Sequence, residues 1–250
     1  MTKFRAQSTS DMVWPPVDQL LADSRLLRQA TSAGTADILL YERDGIKYLV
    51  KTFDRHGWLA RKLFGATIGR EWHNLKNLRE AGFTAAPRPL AWLSPDTLVM
   101  EFVEGAQLLS PRHYTSETKP PMAFFEQLRA CVRQFHRLGY AHGDLRRANL
   151  IIRSAGEPCV IDWATATASP PAWRPLLCML HRQQRKSDQY SLFKLLDDYY
   201  PELSSDAERS HAQPGPLLRF ARFQRYHLYR HGLKEWLGRT HHGEKHKSKP

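Results

Sequence analysis

The alternation of apolar and polar residues in the first part of the chain predicts a small antiparallel sheet. Residues 25–30, 38–42 and 46–53 are three strand-like segments. The last two flank Asp44 and Gly45, a pair typical of a two-residue hairpin turn. The sequence therefore predicts three consecutive antiparallel strands near the N-terminus.

A helical periodicity follows these strands. Ile68, Trp72, Leu75 and Leu78 recur every three or four residues, and Gly82 is placed to end that helix. A second apolar face predicts a helix over residues 122–138 that Gly139 closes, and the chain is mostly helical again from about residue 183. Three short apolar runs predict further buried strands, at residues 98–103, 150–152 and 160–161.

This order of elements predicts an α+β fold with two lobes, joined near residues 101–107. We expect an irregular lead-in over residues 1–20 and a small sheet-containing N-lobe over residues 21–103. We expect a mainly helical C-lobe over residues 104–240, ending in a basic amphipathic helix. The last ten residues, 241–250, are expected to form a disordered tail.

Composition is that of a soluble globular protein, with 42% hydrophobic and 25% charged residues in a chain of 250. Three cysteines without CxxC spacing, Cys131, Cys159 and Cys178, fit a reducing compartment and offer no metal cluster. The sequence has no signal peptide and no apolar run of membrane-spanning length. We therefore expect a cytoplasmic protein without a transmembrane segment, with peripheral contact at the inner membrane left open.

The net charge of +12 indicates an anionic partner, which is a nucleic acid, a membrane surface or a phosphorylated substrate. Two segments, residues 55–70 and 214–239, interleave basic and aromatic or aliphatic residues. They are typical of amphipathic helices that contact an anionic membrane or a lipid-linked, phosphate-bearing sugar. A packed helix with a solvated basic face explains them equally well, and both interpretations stay open.

The segment HGDLRRAN, residues 142–149, is the most informative in the chain. Asp144 is followed five residues later by Asn149, and Asp162 comes thirteen residues after that, behind an apolar run. The tripeptide HGD alone is also typical of a turn in which the aspartate hydrogen-bonds its own backbone. A turn does not require Asn149 and Asp162 at their fixed distances from Asp144, so the complete pattern favours a catalytic segment. Phosphoryl transfer needs a carboxylate to orient a hydroxyl and oxygen ligands to hold magnesium, and these residues provide both.

The motifs resemble the protein-kinase-like superfamily over about residues 25–200. Within it the sequence is similar to the bacterial lipopolysaccharide kinases, which are the Kdo and core-heptose kinases, and to their RIO-type relatives. The resemblance implies a bilobal protein-kinase-like fold. The residues that show it are YLVKTF, GREWHNLKNLREAGFTAAPRPL, LVMEFVEG, HGDLRRANLII and VIDWATA.

The resemblance implies a role for each residue of the catalytic segment. Asp144 would be the catalytic base, and Asn149 and Asp162 would bind Mg²⁺. Arg146 would neutralise charge on the transferring phosphoryl group. Asp188 would support the catalytic loop, or it would be a carboxylate in the first turn of a helix, where the helix dipole favours it.

A second group of residues is expected to bind ATP. Lys51 would contact the α- and β-phosphates, and Glu71 would hold Lys51 in place. Gly34 is the one glycine in the loop of residues 31–35, where backbone amides would cradle phosphate. Backbone groups of the hinge, Glu101 and Val103 among them, would bind the adenine.

The sequence departs from regulated protein kinases in ways that bear on the acceptor. Asp162 is followed by Trp163 and Ala164 instead of Phe-Gly, and no APE motif follows. Asp188 comes only 26 residues after Asp162, counted as 188 − 162, which leaves little room for an activation loop. These departures favour a non-peptide substrate and constitutive activity.

Our main hypothesis from the sequence is an ATP- and Mg²⁺-dependent kinase that phosphorylates a sugar hydroxyl of lipopolysaccharide core or lipid-linked Kdo at the cytoplasmic membrane face. The alternative within the same class is a RIO-like serine/threonine protein kinase or a small-molecule phosphotransferase. A pseudokinase scaffold is a third hypothesis. A nucleic-acid binder is a fourth, which is not expected because no helix-turn-helix or zinc-finger pattern is present.

Overall fold

The computed structural model describes residues 7–8, 12–30, 35–54, 66–115 and 117–201. Four sequence predictions lie outside these residues. They are the phosphate loop with Gly34, most of the basic segment 55–70, the basic segment 214–239 and the tail 241–250. None of the helices in the described part of the chain is long and apolar enough to cross a membrane.

The first part of the chain forms a six-stranded antiparallel sheet with the order β1-β5-β6-β4-β3-β2. Its strands are β1 (Gln7–Ser8), β2 (Arg25–Arg28), β3 (Asp37–Arg43), β4 (Ile46–Thr52), β5 (Pro89–Ser94) and β6 (Thr97–Glu101). The predicted strands correspond to β2, β3, β4 and β6. Strand β5 was not predicted, because its apolar residues follow a proline-rich turn without a clear alternation.

The hairpin between β3 and β4 is confirmed. The two strands pair from Asp37 with Thr52 to Arg43 with Ile46. Asp44 and Gly45 both have positive φ, at 55° and 75°, as a type I′ turn requires. The turn matches the twist of the flanking strands, so it sets the register that places Lys51 on β4.

The prediction of an irregular lead-in over residues 1–20 needs correction. β1 pairs with β5, and α1 (Val17–Ala22) packs Leu20 and Leu21 against the sheet beside Leu39 and Val99. The helix is six residues long, too short to show a periodicity in the sequence. Contact with the sheet, and not local propensity, determines this helix.

Three longer helices follow, and the first two have the predicted apolar faces. They are α2 (Ala66–Glu80), α3 (Met122–Arg137) and α4 (Pro175–Tyr199). Helix α2 buries Ile68, Trp72, Leu75 and Leu78, and Gly82 after its end has a φ of 81°, as a helix C-terminus favours. Helix α4 begins eight residues before the predicted residue 183.

Short strands connect the helices. β7 (Gly105–Gln107), β9 (Leu150–Arg153) and β10 (Pro158–Val160) form a three-stranded sheet in the order β10-β9-β7. β8 (Tyr140–Ala141) pairs with β11 (Thr167–Ala168). Short 3-10 turns occur at Pro111–His113, Arg147–Asn149 and Trp163–Thr165. The predicted two-lobed α+β architecture is confirmed.

An aromatic cluster joins the turn that follows α2, helix α3 and the segment after Asp162. The ring of Trp163 lies 5.3 Å from Phe135 and 5.7 Å from Phe83, and Phe83 lies 6.0 Å from Phe135. All three contacts are close to edge-on, the geometry that aromatic pairs prefer. Trp163 is fully buried and its indole N–H donates to the Val160 carbonyl. The cluster therefore fixes the segment that presents Asp162.

Replacement of Trp163 by alanine should destabilise the protein by about 3–5 kcal/mol, because it leaves a large cavity and removes a buried hydrogen bond. Trp173→Ala is the matched control: Trp173 is 72% exposed, and its removal should change stability by about 0.5 kcal/mol or less. Denaturant unfolding of both variants measures the difference. Equal losses would contradict the assignment of Trp163 to the core.

Candidate active site

A buried cation with two carboxylate partners connects the sheet, helix α2 and the segment after β10. The Nζ atom of Lys51 lies 2.6 Å from Oε2 of Glu71 and 2.8 Å from Oδ1 of Asp162. The Lys51 side chain is only 12% exposed, and Glu71 is buried. The predicted pair of Lys51 and Glu71 is thus formed, and Asp162 lies at the same cation.

The attraction between Lys51 and each of the two carboxylates opposes the cost of burying these charges. Burial by itself lowers the pKa of Lys51, but the carboxylates of Glu71 and Asp162 outweigh it, so the net pKa is raised and Lys51 stays cationic. Burial raises the pKa of Glu71, which Lys51 only partly offsets. For Asp162 burial acts in the same direction, but Lys51 outweighs it and the net pKa is lowered. Asp162 is therefore held as a carboxylate.

The catalytic segment is organised by the side chain of Asn149. Its Nδ2 donates to the backbone carbonyl of Asp144 at 2.8 Å and to the Asp144 carboxylate at 3.1 Å. Nε of Arg146 lies 3.1 Å from the same carboxylate oxygen. Because both hydrogen bonds of Asn149 use its amide nitrogen, its amide oxygen is the atom that can face a metal ion.

Asp162 reaches the site through an unusual backbone conformation. Its φ and ψ are both 65°, in the left-handed region that few residues other than glycine, asparagine and aspartate adopt. The preceding Ile161 N–H donates to the Asn149 carbonyl at 3.0 Å, which aligns the two segments. Such strained residues concentrate at functional sites.

The oxygen donors suit a hard divalent cation. Asp162 supplies a carboxylate and Asn149 an amide oxygen, the ligand types that Mg²⁺ prefers, with phosphate oxygens and water completing its shell. The described residues contain no cluster of three or more histidine, cysteine, aspartate or glutamate side chains with metal-binding geometry. The oxygen donors of Asp162 and Asn149 are chemically suited to a divalent metal ion, and the predicted metal site stays a prediction.

Asp188 supports the catalytic loop from helix α4. Its carboxylate accepts hydrogen bonds from the backbone N–H groups of His142 and Gly143, both at 2.8 Å. It also lies 3.1 Å from Nε2 of His136 on α3. Asp188 is buried in the middle of α4, so the alternative that placed it in the first turn of a helix is wrong.

His142 is a structural residue of the loop. Its Nε2 lies 3.1 Å from the Ile161 carbonyl, which requires an Nε2–H donor, while Nδ1 lies 3.3 Å from the Asp144 N–H, which requires an acceptor. Only the neutral ring meets both requirements. Burial lowers the pKa of His142, in agreement with that hydrogen-bond pattern.

Two residues that the sequence analysis missed hold the segment after Asp162. Asn74 on α2 donates from Nδ2 to the Trp163 and Ala166 carbonyls, both at 3.0 Å. Gln184 on α4 donates to the Thr165 carbonyl at 2.9 Å and accepts from the Thr167 hydroxyl at 2.7 Å. No signal in the sequence points to these two residues, because a polar side chain in a helix usually faces solvent.

The position of the Gln184 side chain also explains why residue 143, in the HGD motif, is a glycine. Gly143 has a φ of 80°, and a Cβ there would lie 2.0 Å from Nε2 of Gln184. The space beside the loop is thus filled by a side chain that links the loop to the segment after Asp162. That segment is short: counting residues 163–174, twelve residues separate Asp162 from the start of α4 at Pro175.

The predicted hinge lies at the end of β6. The N–H of Glu101 donates to the Arg88 carbonyl at 2.9 Å, so it is not available to a nucleotide base. The Glu101 carboxylate accepts from the Arg88 N–H and from Arg153. Any role of Glu101 in binding adenine must therefore use its backbone carbonyl. Val103, two residues on, is buried, and its predicted contact stays a prediction.

Comparison with known proteins identifies the class that this two-lobed fold and site define. The family model of the RIO domain matches residues 41–179, more than half of the 250 residues. The chain therefore belongs to the RIO-domain family, within the protein-kinase-like superfamily. The match extends from β3 through the catalytic segment into α4.

A curated relative is the RIO-type serine/threonine-protein kinase Rio1 of Haloferax volcanii. It is 33% identical over 114 residues, which cover 46% of this chain and 38% of the relative. The chain thus matches well under half of that relative's length. The RIO-type resemblance is confirmed, and no finding supports the lipopolysaccharide kinase family that the sequence analysis placed first.

The stability of the protein should fall as the pH drops below about 6.5, the ordinary pKa of histidine. The folded state holds His142 neutral, so below that pH the unfolded state binds more protons and is favoured. The contribution is about 1 kcal/mol per pH unit. Denaturant unfolding is measured between pH 7 and 5.5, about the window of this titration. The free energy of unfolding should change less steeply with pH in His142→Asn than in the wild type. Identical slopes for His142→Asn and the wild type would refute the assignment.

Alanine at Gly143 should be more harmful than alanine at Gly156, a glycine with nearly the same positive φ but open space around it. Both variants should lose about 1–2 kcal/mol of stability from the left-handed backbone. Gly143→Ala should lose a further 1–3 kcal/mol or so because it displaces Gln184. In a Gln184→Ala background, the additional loss of stability caused by Gly143→Ala should be smaller than in the wild type, as measured by unfolding. No difference between the two glycine variants would contradict the packing of Gln184 against the loop.

Proposed function

We propose that this protein is an ATP-dependent phosphotransferase that transfers the γ-phosphate to a hydroxyl group, with serine or threonine of a protein as the acceptor. The observation on which this depends is the joint arrangement of Lys51, Glu71 and Asp162 beside the linked pair of Asp144 and Asn149. Membership of the RIO-domain family supports the same conclusion.

Lys51 would bind the phosphates of ATP. It is a buried cation held by two carboxylates, so its position is fixed before the nucleotide arrives. This pre-organisation lowers the cost of orienting a flexible lysine. When phosphate oxygens approach, Lys51 can exchange its contact with Asp162 for one with the nucleotide while Glu71 continues to hold it.

Asp162 and Asn149 would hold Mg²⁺. Asp162 is kept ionised by Lys51, and Asn149 directs its amide oxygen away from Asp144. Such an ion would neutralise charge on the phosphate oxygens during transfer. Magnesium itself is proposed from the chemistry of these donors.

Asp144 would orient the acceptor hydroxyl and take its proton as the O–P bond forms. Its carboxylate is fixed by Asn149 and Arg146, and Asp188 fixes the backbone just before it. Arg146 is mostly exposed, so on nucleotide binding it can turn from Asp144 toward the phosphoryl group. Asp144 then accepts the proton, and ADP is the leaving group.

The acceptor is proposed from the relative, whose name states that it is a serine/threonine-protein kinase. This replaces the glycolipid acceptor as the leading hypothesis. One observation still favours an acceptor other than an extended peptide, namely the twelve-residue connection between Asp162 and α4, which leaves little room for a peptide-binding platform. The sugar hydroxyl of a lipopolysaccharide is therefore retained as a second acceptor to be tested.

Replacement of Asp144 by asparagine should reduce phosphate transfer by about 10²–10⁴-fold, because the residue loses its ability to accept a proton. Asp44→Asn is the matched control: it makes the same change at an exposed turn with positive φ, which asparagine also tolerates, and activity should not change. The assay follows label from γ-labelled Mg-ATP into a soluble protein extract and, separately, into extracted lipopolysaccharide.

Label in protein serine or threonine that Asp144→Asn abolishes would support the proposal. Label in the glycolipid alone would retain the phosphotransferase and overturn the protein acceptor. Full activity of Asp144→Asn would refute the role of Asp144. Absence of transfer to either acceptor, with ATP still bound, would support a nucleotide-binding scaffold instead.

A further inference from the structure

The chain from residue 163 to residue 187 contains no aspartate or glutamate. The whole chain has 25 acidic residues in 250, so a stretch of this length would contain two or three on average. It includes four basic residues instead, which are Arg174, Arg182, Arg185 and Lys186. The segment directly after the predicted metal-binding aspartate thus has a local charge of +4.

The same stretch exposes large apolar side chains where α4 begins. Trp173 is 72% exposed and Leu176 is 63% exposed, and three further apolar residues are at least 40% exposed: Leu177, Met179 and Leu180. Isolated exposed apolar residues are common, but a contiguous group of five marks an interaction surface. We call residues 173–186, with these side chains, the 173–186 surface.

The 173–186 surface is firmly attached to the catalytic segment. Within the 173–186 range His181 is buried and Gln184 bonds the backbone after Asp162, and Ser187 and Asp188 directly after it are buried. Helix α4 therefore has a packed part that supports the site and a first part that projects from it. At 1.5 Å per residue, Leu176 and Asp188 are about 18 Å apart along the helix.

We propose that the 173–186 surface binds an anionic lipid bilayer. Helices that lie in a membrane interface combine tryptophan and leucine for the acyl boundary with arginine and lysine for the lipid phosphates. The Arg174 guanidinium lies 4.4 Å from the Trp173 ring centroid. A cation beside an indole suits the level of the lipid headgroups, where the ring meets the acyl boundary and the cation meets phosphate. The absence of acidic side chains from this stretch removes the repulsion that anionic lipids would otherwise meet.

This proposal does not rest on phosphotransferase activity. It places the catalytic segment near a membrane surface whichever hydroxyl is the acceptor. It also assigns membrane contact to α4, which the sequence analysis had not singled out as a membrane-binding segment. The test therefore measures binding to vesicles without nucleotide, so that its outcome is separate from that of the transfer assay.

The protein with all 250 residues is sedimented with vesicles of phosphatidylcholine alone and with vesicles that also contain phosphatidylglycerol. We expect binding to the second kind only, weakened by salt. Trp173→Ser with Leu176→Ser should weaken binding by about tenfold or more. Arg182→Gln and Lys186→Gln should each weaken it by about fivefold. Ile46→Ser, a matched loss of a 55% exposed apolar residue on the β3–β4 hairpin, should not change it.

A spectroscopic readout locates the contact. Trp173→Phe keeps an aromatic ring, so binding should persist, but the vesicle-induced blue shift of tryptophan emission should decrease because one of the seven tryptophans no longer enters the interface. Unchanged binding of the Trp173/Leu176 double variant, or an unchanged blue shift in Trp173→Phe, would overturn the proposal. So would a shift from dimer to monomer in the double variant without vesicles, since a second copy of the chain would then cover this surface.

Discussion

The buried cation of Lys51 is the interaction on which the site depends. It lies on a central strand of the sheet, and its two carboxylate partners come from helix α2 and from the segment after β10. Removal of Lys51 would leave two carboxylates beside each other without their cation, and because Glu71 is buried this costs several kcal/mol. The ion pair therefore ties together the elements that would bind nucleotide phosphate and metal, and it defines their spacing before any ligand binds.

A second buried carboxylate has the equivalent role in the C-lobe. Asp188 receives two backbone N–H groups of the catalytic loop and the ring of His136. Hydrogen bonds to an ionised group are stronger than those between neutral groups. Because Asp188 and Gln184 both lie on helix α4, one element holds both the loop with Asp144 and the segment with Asp162.

The arrangement suggests how the site stays ordered without a long activation segment. Asn74 and Gln184 bond backbone carbonyls on the two sides of the short segment after Asp162. Trp163 fills the aromatic cluster beneath it. These contacts hold the segment without a phosphorylated residue. Constitutive activity stays a prediction from the sequence.

The sequence by itself determined the hairpin, the buried faces of helices α2 and α3 and the set of candidate catalytic residues, because turn chemistry, apolar periodicity and motif spacing are local properties of the chain. Tertiary structure alone decided the short helix α1, the strand β5 and the roles of Asn74 and Gln184, since their partners lie far away in sequence. It also decided between the two interpretations of Asp188. Whether a carboxylate supports a loop depends on which backbone groups the fold brings to it, and spacing along the chain does not contain that information.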